Sequence, residues 1–340
     1  MIRENISLKE FNTFKVGGKS RYFYELKSND DLLKIADFLE SEKVPFVVLG
    51  WGSNVLISEE GFHGLVLKIS TDKIEWKEKD GGVFEVIVDS GVSWDDLVSQ
   101  SVEKNLYGLE NLSGIPGTVG AAPVQNIGAY GTEIKHTLSS LEVFDLKDKN
   151  FKILNLKDCD FGYRDSIFKK SENKDLVITK VHFILSRKGE LNLSYKDLKN
   201  YFASKPNPSL SEVRNAVLKI RSEKFPDLKK NGTAGSFFKN PIISEVKLEE
   251  LKLEFPEIPY FSTENGQFKI SAAWILDKVL DVKGKYFDQV GFFEKQPIVV
   301  VNLGGALSHE IKKVTDEIIL KTKKLIGIDL EREVTLVGEF

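Results

Sequence analysis

Cysteine, histidine and long apolar runs are scarce in this 340-residue sequence. The single cysteine, Cys159, excludes an internal disulfide framework and is typical of a protein from a reducing compartment. The four histidines are scattered at spacings that join no metal-ligand set with that cysteine, so we expect no metal site. No apolar run approaches the roughly 18 residues of a spanning helix, and the start, MIRENISLKE, lacks the apolar core of a signal peptide.

An excess of positive charge is also missing. The formal net charge is −3 and the sequence pI is about 6.0. We therefore expect no nucleic-acid partner and no anionic membrane partner. With 41% hydrophobic and 29% charged residues, the chain has the composition of a globular protein with two or three domains. Together these features predict a cytoplasmic protein.

Glycine, by contrast, is concentrated between Gly108 and Gly131, in the stretch GLENLSGIPGTVGAAPVQNIGAYG. Apolar residues recur through it and predict a tightly packed irregular loop, whereas a flexible linker would lack them: Leu109, Leu112, Ile115, Val119, Val124 and Ile127. Backbone N–H groups in such loops form concave anion sites, so a phosphate-bearing cofactor is the predicted guest. No Gly-Lys-Ser/Thr follows, which excludes a Walker A loop, and a Rossmann fingerprint is weakly supported. A purely structural glycine loop is the alternative.

A second candidate phosphate cradle is Gly50–Asn54, reading GWGSN. It follows the apolar run Pro45–Leu49, which predicts a strand buried on both faces. Val55–Ile57 then resumes a strand, which places the cradle at a strand end. A tight β-turn is the alternative interpretation.

Elsewhere the apolar spacing predicts interspersed helices and strands, hence an α+β chain. The predicted helices are 30–39, 94–104, 211–224, 245–255, 271–280 and 308–325, and the predicted strands are 64–69, 84–89, 141–146, 177–185, 297–302 and 330–338. The last strand places Glu331 and Glu333 on one face, a pattern usual for solvated carboxylates. Pro206-Asn-Pro208 indicates a boundary.

Three polar side chains are candidates for chemistry. Arg164 lies in the patch Cys159–Lys169, and it either pairs with Asp165 at the surface or grips a carboxylate or a flavin-type carbonyl. Ser236 stands before two phenylalanines, which suits a proton donor, and no His/Asp pair nearby makes it a hydrolase nucleophile. Tyr195 stacks on a base, donates to a phosphate or simply packs in the core.

Taken together, these stretches resemble the UDP-N-acetylenolpyruvoylglucosamine reductase (UDP-N-acetylmuramate dehydrogenase) family, the FAD enzymes of bacterial peptidoglycan synthesis. The resemblance runs in order along nearly the whole chain. Within the family, the chain resembles the branch that closes a tyrosine loop over its substrate. It is carried by Asn12-Thr-Phe, GWGSNVL (50–56), IPGTVG (115–120), QNIGAYG (125–131), FGYRDS (161–166), NGTAGSFFK (231–239) and the final Arg332-Glu-Val.

The resemblance implies an α+β fold with a two-part, PCMH-type FAD-binding domain and a separate α+β substrate-binding domain. We expect the FAD-binding subdomains at 1–70 and 71–208 and the substrate-binding domain at 209–325. The C-terminal strand, 326–340, would return to the FAD side. The family also implies non-covalent FAD, NADPH as co-substrate, a UDP-sugar substrate and, we expect, a monomer.

The same resemblance assigns residues. It places the FAD diphosphate on Gly50, Gly52, Ser53, Asn54, Ile115, Pro116, Gly117, Gly120, Ala121 and Val124. It places the UDP portion of the substrate on Tyr195, Lys224, Asn240 and Gln296, supported by Arg221. Its catalytic residues are Arg164, Ser236 and Glu333.

The implied reaction has two halves. NADPH passes a hydride to the flavin N5 and leaves, and that hydride then goes to C3 of the enolpyruvyl group before C2 is protonated. Arg164 would stabilise the enolate charge on the substrate carboxylate, and Ser236 would donate the proton to C2. Glu333 would either donate a hydrogen bond to the enolate or orient a neighbour.

Two departures from the family pattern stand out. Thr335 occupies a position where many members carry an arginine, which puts any flavin contact of that arginine in doubt. Ala121-Ala122 replaces a small hydroxyl pair found in some members, so only backbone groups would bind FAD there. The alternatives are a flavin oxidase of the same FAD fold that reduces O₂ and a non-enzymatic flavin- or UDP-sugar-binding regulator. The 231–241 motif opposes the first, and the joint presence of Arg164, Ser236 and Glu333 opposes the second.

Overall fold

A computed structural model describes residues 1–263 and 265–340. The chain forms two compact units, each built from separated segments. Unit 1 comprises Met1–Ile6, Ser20–Trp51 and His63–Ser222, and unit 2 comprises Ser7–Lys19, Gly52–Phe62 and Glu223–Phe340.

Strands and helices are interspersed along the chain, as expected for the α+β class. The strands are β1 (Arg3–Ser7), β2 (Lys19–Leu26), β3 (Phe46–Leu49), β4 (Val55–Ile57), β5 (Phe62–Ile69), β6 (Ile74–Lys79), β7 (Val83–Asp89), β8 (Gly128–Ala129), β9 (Thr132–Glu133), β10 (Leu138–Asp145), β11 (Asn150–Asn155), β12 (Leu176–Ser186), β13 (Ile242–Ile243), β14 (Tyr260–Ser262), β15 (Phe268–Ile270), β16 (Tyr286–Phe287), β17 (Val290–Phe292), β18 (Val300–Asn302) and β19 (Thr335–Val337). The α-helices are α1 (Leu32–Glu42), α2 (Trp94–Glu103), α3 (Lys196–Tyr201), α4 (Leu210–Lys224), α5 (Glu245–Glu254), α6 (Ala272–Trp274) and α7 (Ser308–Ile326).

Unit 1 is built on two sheets. A four-stranded sheet has the order β1-β2-β5-β3, and a five-stranded antiparallel sheet has the order β11-β10-β12-β7-β6. Trp94, at the start of α2, is 1% exposed and packs against the second sheet through Phe183. Ser93 caps α2 by accepting the Asp96 N–H, which satisfies one of the donors left open at a helix start. This cap fixes the first turn of α2, which contacts the glycine loop described below.

Helix α4 belongs to unit 1 as far as Ser222. Its apolar stripe is buried, as the spacing predicts. The stripe consists of Val213, Ala216, Val217 and Ile220. It packs against residues of the glycine loop and of α3 with the residue that follows it: Tyr130, Leu198 and Phe202. The glycine loop and α4 are thereby parts of one packed layer.

Unit 2 has a single large core in which the buried residues include Phe14, Phe237, Phe238 and Phe292. Its sheets are short: β13-β15-β14, β16-β17-β18 and the parallel pair β19-β4. Helix α7 ends at Gly327, whose φ of 66° is the left-handed cap that glycine adopts without strain. Strand β19 pairs with β4 in the register Leu336 to Leu56, so the chain terminus lies beside the strand that follows Gly52–Asn54.

Three sequence-based expectations are wrong in detail. Strand β3 lies at the edge of its sheet and Val48 is 37% exposed, so the strand is not buried on both faces. The predicted helix 271–280 is one α-turn followed by a π-turn, Ile275–Val279. The regular terminal strand is only β19, because the segment before it pairs irregularly through a bridge from Arg332 to Phe238. The boundaries at 70, 208 and 325 stay predictions.

Candidate functional site

The glycine loop of unit 1 is held in its path by close packing. A Cβ on Gly120 would fall 2.2 Å from the Ser90 Cβ, and a Cβ on Gly50 would fall 2.6 Å from the Thr118 Oγ1. Gly117 has a φ of 142°, a conformation that side chains rarely adopt. The apolar residues Leu109, Leu112 and Val119 are 0% exposed, as predicted for a packed loop. The sequence requirement for glycine here is therefore steric.

The backbone donors of this loop fall into two groups. The N–H groups of Val119, Gly120, Ala121 and Ala122 donate to carbonyls of unit 1, which ties them to the fold. Within 1–263 and 265–340, the structure records no acceptor for the N–H groups of Ile115, Gly117 and Thr118. Free N–H groups on a tight glycine turn fit an anionic diphosphate. The nearby Ser90 Oγ is also buried without a hydrogen-bond partner among the described residues.

The second cradle is divided by its folding, because Gly50 belongs to unit 1 and Gly52, Ser53 and Asn54 to unit 2. Gly52 has a φ of 64°, and a Cβ there would fall 2.2 Å from the Phe11 O. Its carbonyl accepts the Thr13 N–H at 3.1 Å. This contact explains the Asn12-Thr-Phe stretch as a brace for the cradle.

Arg164 lies in unit 1, where its backbone has a φ of 53°, unusual for a non-glycine residue. Its Nη2 donates to the Gly128 O at 2.7 Å, and its guanidinium lies over the Tyr163 ring at 5.6 Å. The buried Asn126 joins the same two segments by donating to the Gly162 O at 3.0 Å. Arg164 is thus fixed onto the glycine loop, and its side chain is only half-buried.

Tyr195 is 43% exposed and precedes α3, with its ring edge-on to Tyr130 at 5.4 Å. Two asparagines attach its segment to the glycine loop. Asn111 donates to the Tyr130 O at 2.9 Å and to the Asn192 O at 2.8 Å, and Asn192 donates to the Gly131 O at 2.9 Å. Tyr195 is therefore neither a core tyrosine nor a detached surface residue.

Arg221, from α4, reaches the glycine loop directly. Its Nε donates to the Gly114 O at 3.0 Å, and it also lies beside Tyr130. Burial raises the pKa of Tyr130 to about 12, although the Arg221 charge works in the opposite direction. Tyr130 therefore stays protonated at neutral pH. Burial likewise lowers the pKa of Arg221 from its usual value.

In unit 2, Ser236 pairs with Val299 in an antiparallel bridge, and the next N–H, that of Phe237, donates to the Ile298 O at 2.8 Å. Phe237 and Phe238 are 0% and 1% exposed. The residue before the serine, Gly235, has a φ of 74°, and a Cβ there would meet no atom within 4 Å. Buried rings on one side and an open glycine on the other give Ser236 a fixed, half-buried position.

Glu333 meets the same segment, because its N–H donates to the Phe237 O at 2.8 Å. Asn54 joins them by donating its Nδ2 to the Glu333 O at 3.1 Å. Glu333 is 9% exposed, whereas Glu331 is exposed and pairs with Lys239 at 2.9 Å. The expectation of two solvated carboxylates is therefore wrong for Glu333, since tertiary pairing with the 231–240 segment buries it.

The remaining predicted substrate contacts are also in unit 2. Lys224 ends α4 and is half-buried. Asn240 accepts the Ala272 N–H at 2.9 Å, so its oxygen caps α6. Gln296 forms a turn in which its carbonyl accepts the Val299 N–H at 3.0 Å. The structure thus brings Asn54, Ser236 and Glu333 together within unit 2, and it joins Arg164, Tyr195 and Arg221 to the glycine loop within unit 1.

Sequence reasoning missed the residues that fix these candidates: Asn111, Tyr130, Asn192, Asp95 and Arg214. The one available signal was the spacing of Arg214 and Arg221, seven residues apart on one helix face. Two further findings concern other site classes. No cluster of three or more His, Cys, Asp or Glu side chains suited to a metal occurs among the described residues. In the described parts of the chain, every helix is too short or too polar to cross a membrane.

Two family models match the chain. One is described as an FAD binding domain and matches residues 20–151. The other is described as the C-terminal domain of UDP-N-acetylenolpyruvoylglucosamine reductase and matches residues 227–337. These matches confirm the predicted fold class, in which an FAD-binding domain is joined to a separate C-terminal α+β domain.

Curated relatives match over their full length, and all three named here are called UDP-N-acetylenolpyruvoylglucosamine reductase. The Flavobacterium johnsoniae protein is 37% identical over 339 residues, 99% of each chain. The Shewanella sp. MR-7 protein is 38% identical over 332 residues, 98% of this chain and 96% of its own. The Bacteroides fragilis YCH46 protein is 35% identical over 338 residues, 99% of this chain and 100% of its own.

A solved structure shares the fold. The UDP-N-acetylenolpyruvylglucosamine reductase of Thermus caldophilus superposes with a TM-score of 0.70 at 22% identity, covering 99% of this chain and 100% of the other.

Proposed function

The chain belongs to the UDP-N-acetylenolpyruvoylglucosamine reductase family, and on that premise we propose that it reduces UDP-N-acetylglucosamine enolpyruvate to UDP-N-acetylmuramate with NADPH. The reaction would serve peptidoglycan precursor synthesis in the bacterial cytoplasm, with the enzyme acting as a monomer. The observation that carries the proposal is the meeting of the 231–240 and 330–335 segments in unit 2. There the Glu333 N–H donates to the residue next to Ser236.

FAD is the cofactor of the proposed reaction, and when bound it carries the hydride between the two substrates. The residues that would hold its diphosphate are Gly50, Gly52–Asn54 and the stretch 115–124. Unpaired N–H groups of Ile115, Gly117 and Thr118 support this assignment. In the same stretch Ala121 offers no side-chain donor, and its N–H is already paired. The backbone of the earlier residues therefore provides the donors in this part of the loop.

Arg164 is proposed to bind the carboxylate of the enolpyruvyl group. A guanidinium offers two parallel N–H donors to a carboxylate, which suits the charge that develops there as hydride adds to C3. The bond from Nη2 to the Gly128 O and the tyrosine beneath the guanidinium hold the group in one orientation. A preorganised cation stabilises a developing anion without reorganisation at the moment of reaction.

Ser236 is proposed to donate the proton to C2. A serine hydroxyl is a weak acid, but a developing carbanion is a far stronger base than water, so the transfer can run downhill. The buried rings of Phe237 and Phe238 and the bridge to Val299 fix the residue that carries this hydroxyl. The position is half-buried, which limits access of competing water.

Glu333 is proposed to act at the same carbon. If protonated it donates a hydrogen bond to the enolate, and if ionised it orients a neighbouring donor. Its 9% exposure and its backbone bond beside Ser236 support a role at this position.

The UDP portion is proposed to contact Tyr195, Lys224, Asn240 and Gln296, with Arg221 in support. The bond from Arg221 to the Gly114 O indicates that its support acts partly through the glycine loop.

An anaerobic visible spectrum of the purified protein tests the proposal. We expect a flavin spectrum that is bleached by NADPH and restored by UDP-N-acetylglucosamine enolpyruvate. A flavin that bleaches with NADPH but recovers only with air would support the oxidase alternative. A chain that takes up no flavin even after FAD is added would overturn the proposal.

A further inference from the structure

Both backbone polar groups of Gly114, at the entrance of the Ile115–Val124 stretch, are held by side chains. Its N–H donates to the Asp95 Oδ1 at 2.6 Å, and its carbonyl accepts the Arg221 Nε at 3.0 Å. Gly114 has a φ of 69°, and a Cβ there would lie 2.8 Å from the Leu218 Cδ2. A side chain from α2 therefore holds the Ser113–Gly114 peptide, and one from α4 holds the Gly114–Ile115 peptide, which carries the first of the unpaired N–H groups.

The acid that holds this peptide is itself held. Arg214 of α4 donates Nη1 to the Asp95 Oδ1 at 2.7 Å and Nη2 to the Asp95 Oδ2 at 2.9 Å. The Arg214 side chain is 14% exposed and the Asp95 side chain 34%, so this bidentate pair is screened less than a surface ion pair. Burial would raise the pKa of Asp95, but Arg214 and the Gly114 N–H together hold that pKa below its usual value. Asp95 is thus a fixed carboxylate at neutral pH.

Asp95 does more than supply negative charge to a helix start. Its neighbour Asp96 also lies in the first turn of α2, but it is exposed. The same turn grips the loop twice more: the Trp94 N–H donates to the Gly117 O at 3.0 Å and the Trp94 Nε1 to the Leu112 O at 2.9 Å. The first turn of α2 thus contacts the loop before, at and after Gly114.

From this geometry we propose that Asp95, locked by Arg214, is a positioning residue for FAD: it holds the Ser113–Gly114 peptide and so fixes Gly114 at the start of the turn that carries the donors of Ile115, Gly117 and Thr118. The inference rests on the proposed function only in taking this loop to be where the cofactor diphosphate binds. In this role Asp95 is not itself a ligand of the cofactor or the substrate. Its effect reaches the donors through the backbone of Gly114.

The test is the FAD dissociation constant of the full-length chain, measured by titrating flavin-free protein and following flavin fluorescence. Asp95→Ala removes the acceptor, and we expect the dissociation constant to rise about tenfold, since a hydrogen bond to a charged group is lost next to the binding donors. Asp96→Ala is the matched control because it removes the neighbouring charge of the same helix turn. We expect it to bind FAD like the wild type.

Arg214→Ala and the double variant Asp95→Ala/Arg214→Ala complete the set. If Arg214 acts only by holding Asp95, the double variant binds FAD no more weakly than Asp95→Ala alone. Equal losses from Asp95→Ala and Asp96→Ala would overturn the proposal, because they would assign the effect to helix charge. An unchanged dissociation constant in Asp95→Ala, with only a lower melting temperature of the flavin-free protein, would also overturn it.

A milder variant covers the case in which Asp95→Ala does not fold. Asp95→Asn keeps an oxygen for the Gly114 N–H and loses the ionic pair, so we expect a dissociation constant raised less than about fivefold. An increase in the dissociation constant as large as that of Asp95→Ala would overturn the role given to the bond from the Gly114 N–H. If the wild type binds FAD but shows no reduction of the sugar nucleotide, the proposed function fails while these binding results still decide the role of Asp95.

Discussion

The glycine loop of unit 1 and the 231–240 segment of unit 2 both carry predicted site residues, but they are built on different principles. In the loop, Gly120 is required because a Cβ there would fall 2.2 Å from the Ser90 Cβ. In the 231–240 segment, Gly235 has no atom near its Cβ position, and the buried rings of Phe237 and Phe238 fix the serine instead.

On the proposed function, this difference separates cofactor binding by backbone N–H groups from proton donation by a side chain. A region that works through backbone N–H groups is disturbed by changes in packing, and the effect appears in cofactor affinity and stability. A region that presents one hydroxyl from a rigid apolar support loses rate when the hydroxyl is removed, while its fold persists. Variants in each region therefore test this contrast.

Ser236→Ala is expected to have the largest effect. Removal of one preorganised donor typically costs about 10²–10³ in rate, so the sugar nucleotide should reoxidise the flavin more slowly by that factor. Reduction of the flavin by NADPH should be unchanged, because that half-reaction needs no proton at C2. Stopped-flow absorbance of each half-reaction makes the measurement.

Ser262→Ala is the control for Ser236→Ala, since Ser262 is an exposed serine on β14 of the same unit. It should leave both half-reactions unchanged. Equal slowing of both half-reactions by Ser236→Ala would mean that the serine is structural, and the contrast between the two regions would fail at its strongest point.

Gly120→Ala should affect stability and flavin content. The added Cβ would fall 2.2 Å from the Ser90 Cβ, and overpacking of this kind typically costs about 1–3 kcal/mol. We expect a lower melting temperature and a protein purified with less flavin. Gly235→Ala is the matched change in unit 2, where nothing lies within 4 Å. Its cost should be limited to roughly 1–2 kcal/mol for a left-handed alanine.

Flavin content distinguishes these two glycine variants even where their melting temperatures are similar. Gly235→Ala should retain wild-type flavin, because its added Cβ meets no atom within 4 Å. If Gly235→Ala lost flavin and Gly120→Ala kept it, the assignment of binding to one region and chemistry to the other would be reversed.

Asn192→Ala tests a contact in which a side chain from outside the glycine loop holds the loop backbone. Asn192 donates to the Gly131 O and accepts the Ser194 hydroxyl at 2.6 Å, so its loss releases the segment that precedes Tyr195. At about 1 kcal/mol for a neutral hydrogen bond, we expect KM for the sugar nucleotide to rise several-fold with little change in kcat. Steady-state kinetics makes the measurement, and Asn200→Ala on the exposed face of α3 is the control. A fall in kcat at constant KM would contradict the role.

The features that could be predicted from the sequence are those that depend on local residue patterns. The glycine loop was predictable because glycine density and apolar residues act locally, and Leu109, Leu112 and Val119 are indeed buried. The edge position of β3 could not be predicted from the sequence, because the exposure of its second face depends on which strands pair with it.

The candidate site shows the same limit. Arg164, Ser236 and Glu333 were singled out from local motifs, and their roles stay predictions. The burial of Glu333 depends on its pairing with Phe237, far away in the sequence. The pair of Asp95 and Arg214 likewise joins residues 119 positions apart. Such pairings require the tertiary fold and leave no local signal.

Glu133→Gln should have the smallest effect. It tests whether the charge of Glu133, which accepts a hydrogen bond from Asn126 of the glycine loop, contributes to the free energy of unfolding. Burial would raise the pKa of Glu133, but the Lys135 ammonium at 3.0 Å and the buried Asn126 amide at 2.9 Å hold it below its usual value. A folded-state pKa below the unfolded one adds stability above the ordinary glutamate value of about 4.3, and that stability is lost as the pH falls through the folded pKa. Urea unfolding from pH 7 to pH 3 should therefore show the wild type more stable than Glu133→Gln near neutrality, with the difference shrinking below about pH 4.

The exposed Glu331→Gln of unit 2 is the matched control, because a surface ion pair of this kind is worth little. A pH-independent difference for Glu133→Gln would show that the loop depends on the shape of this side chain and not on its charge.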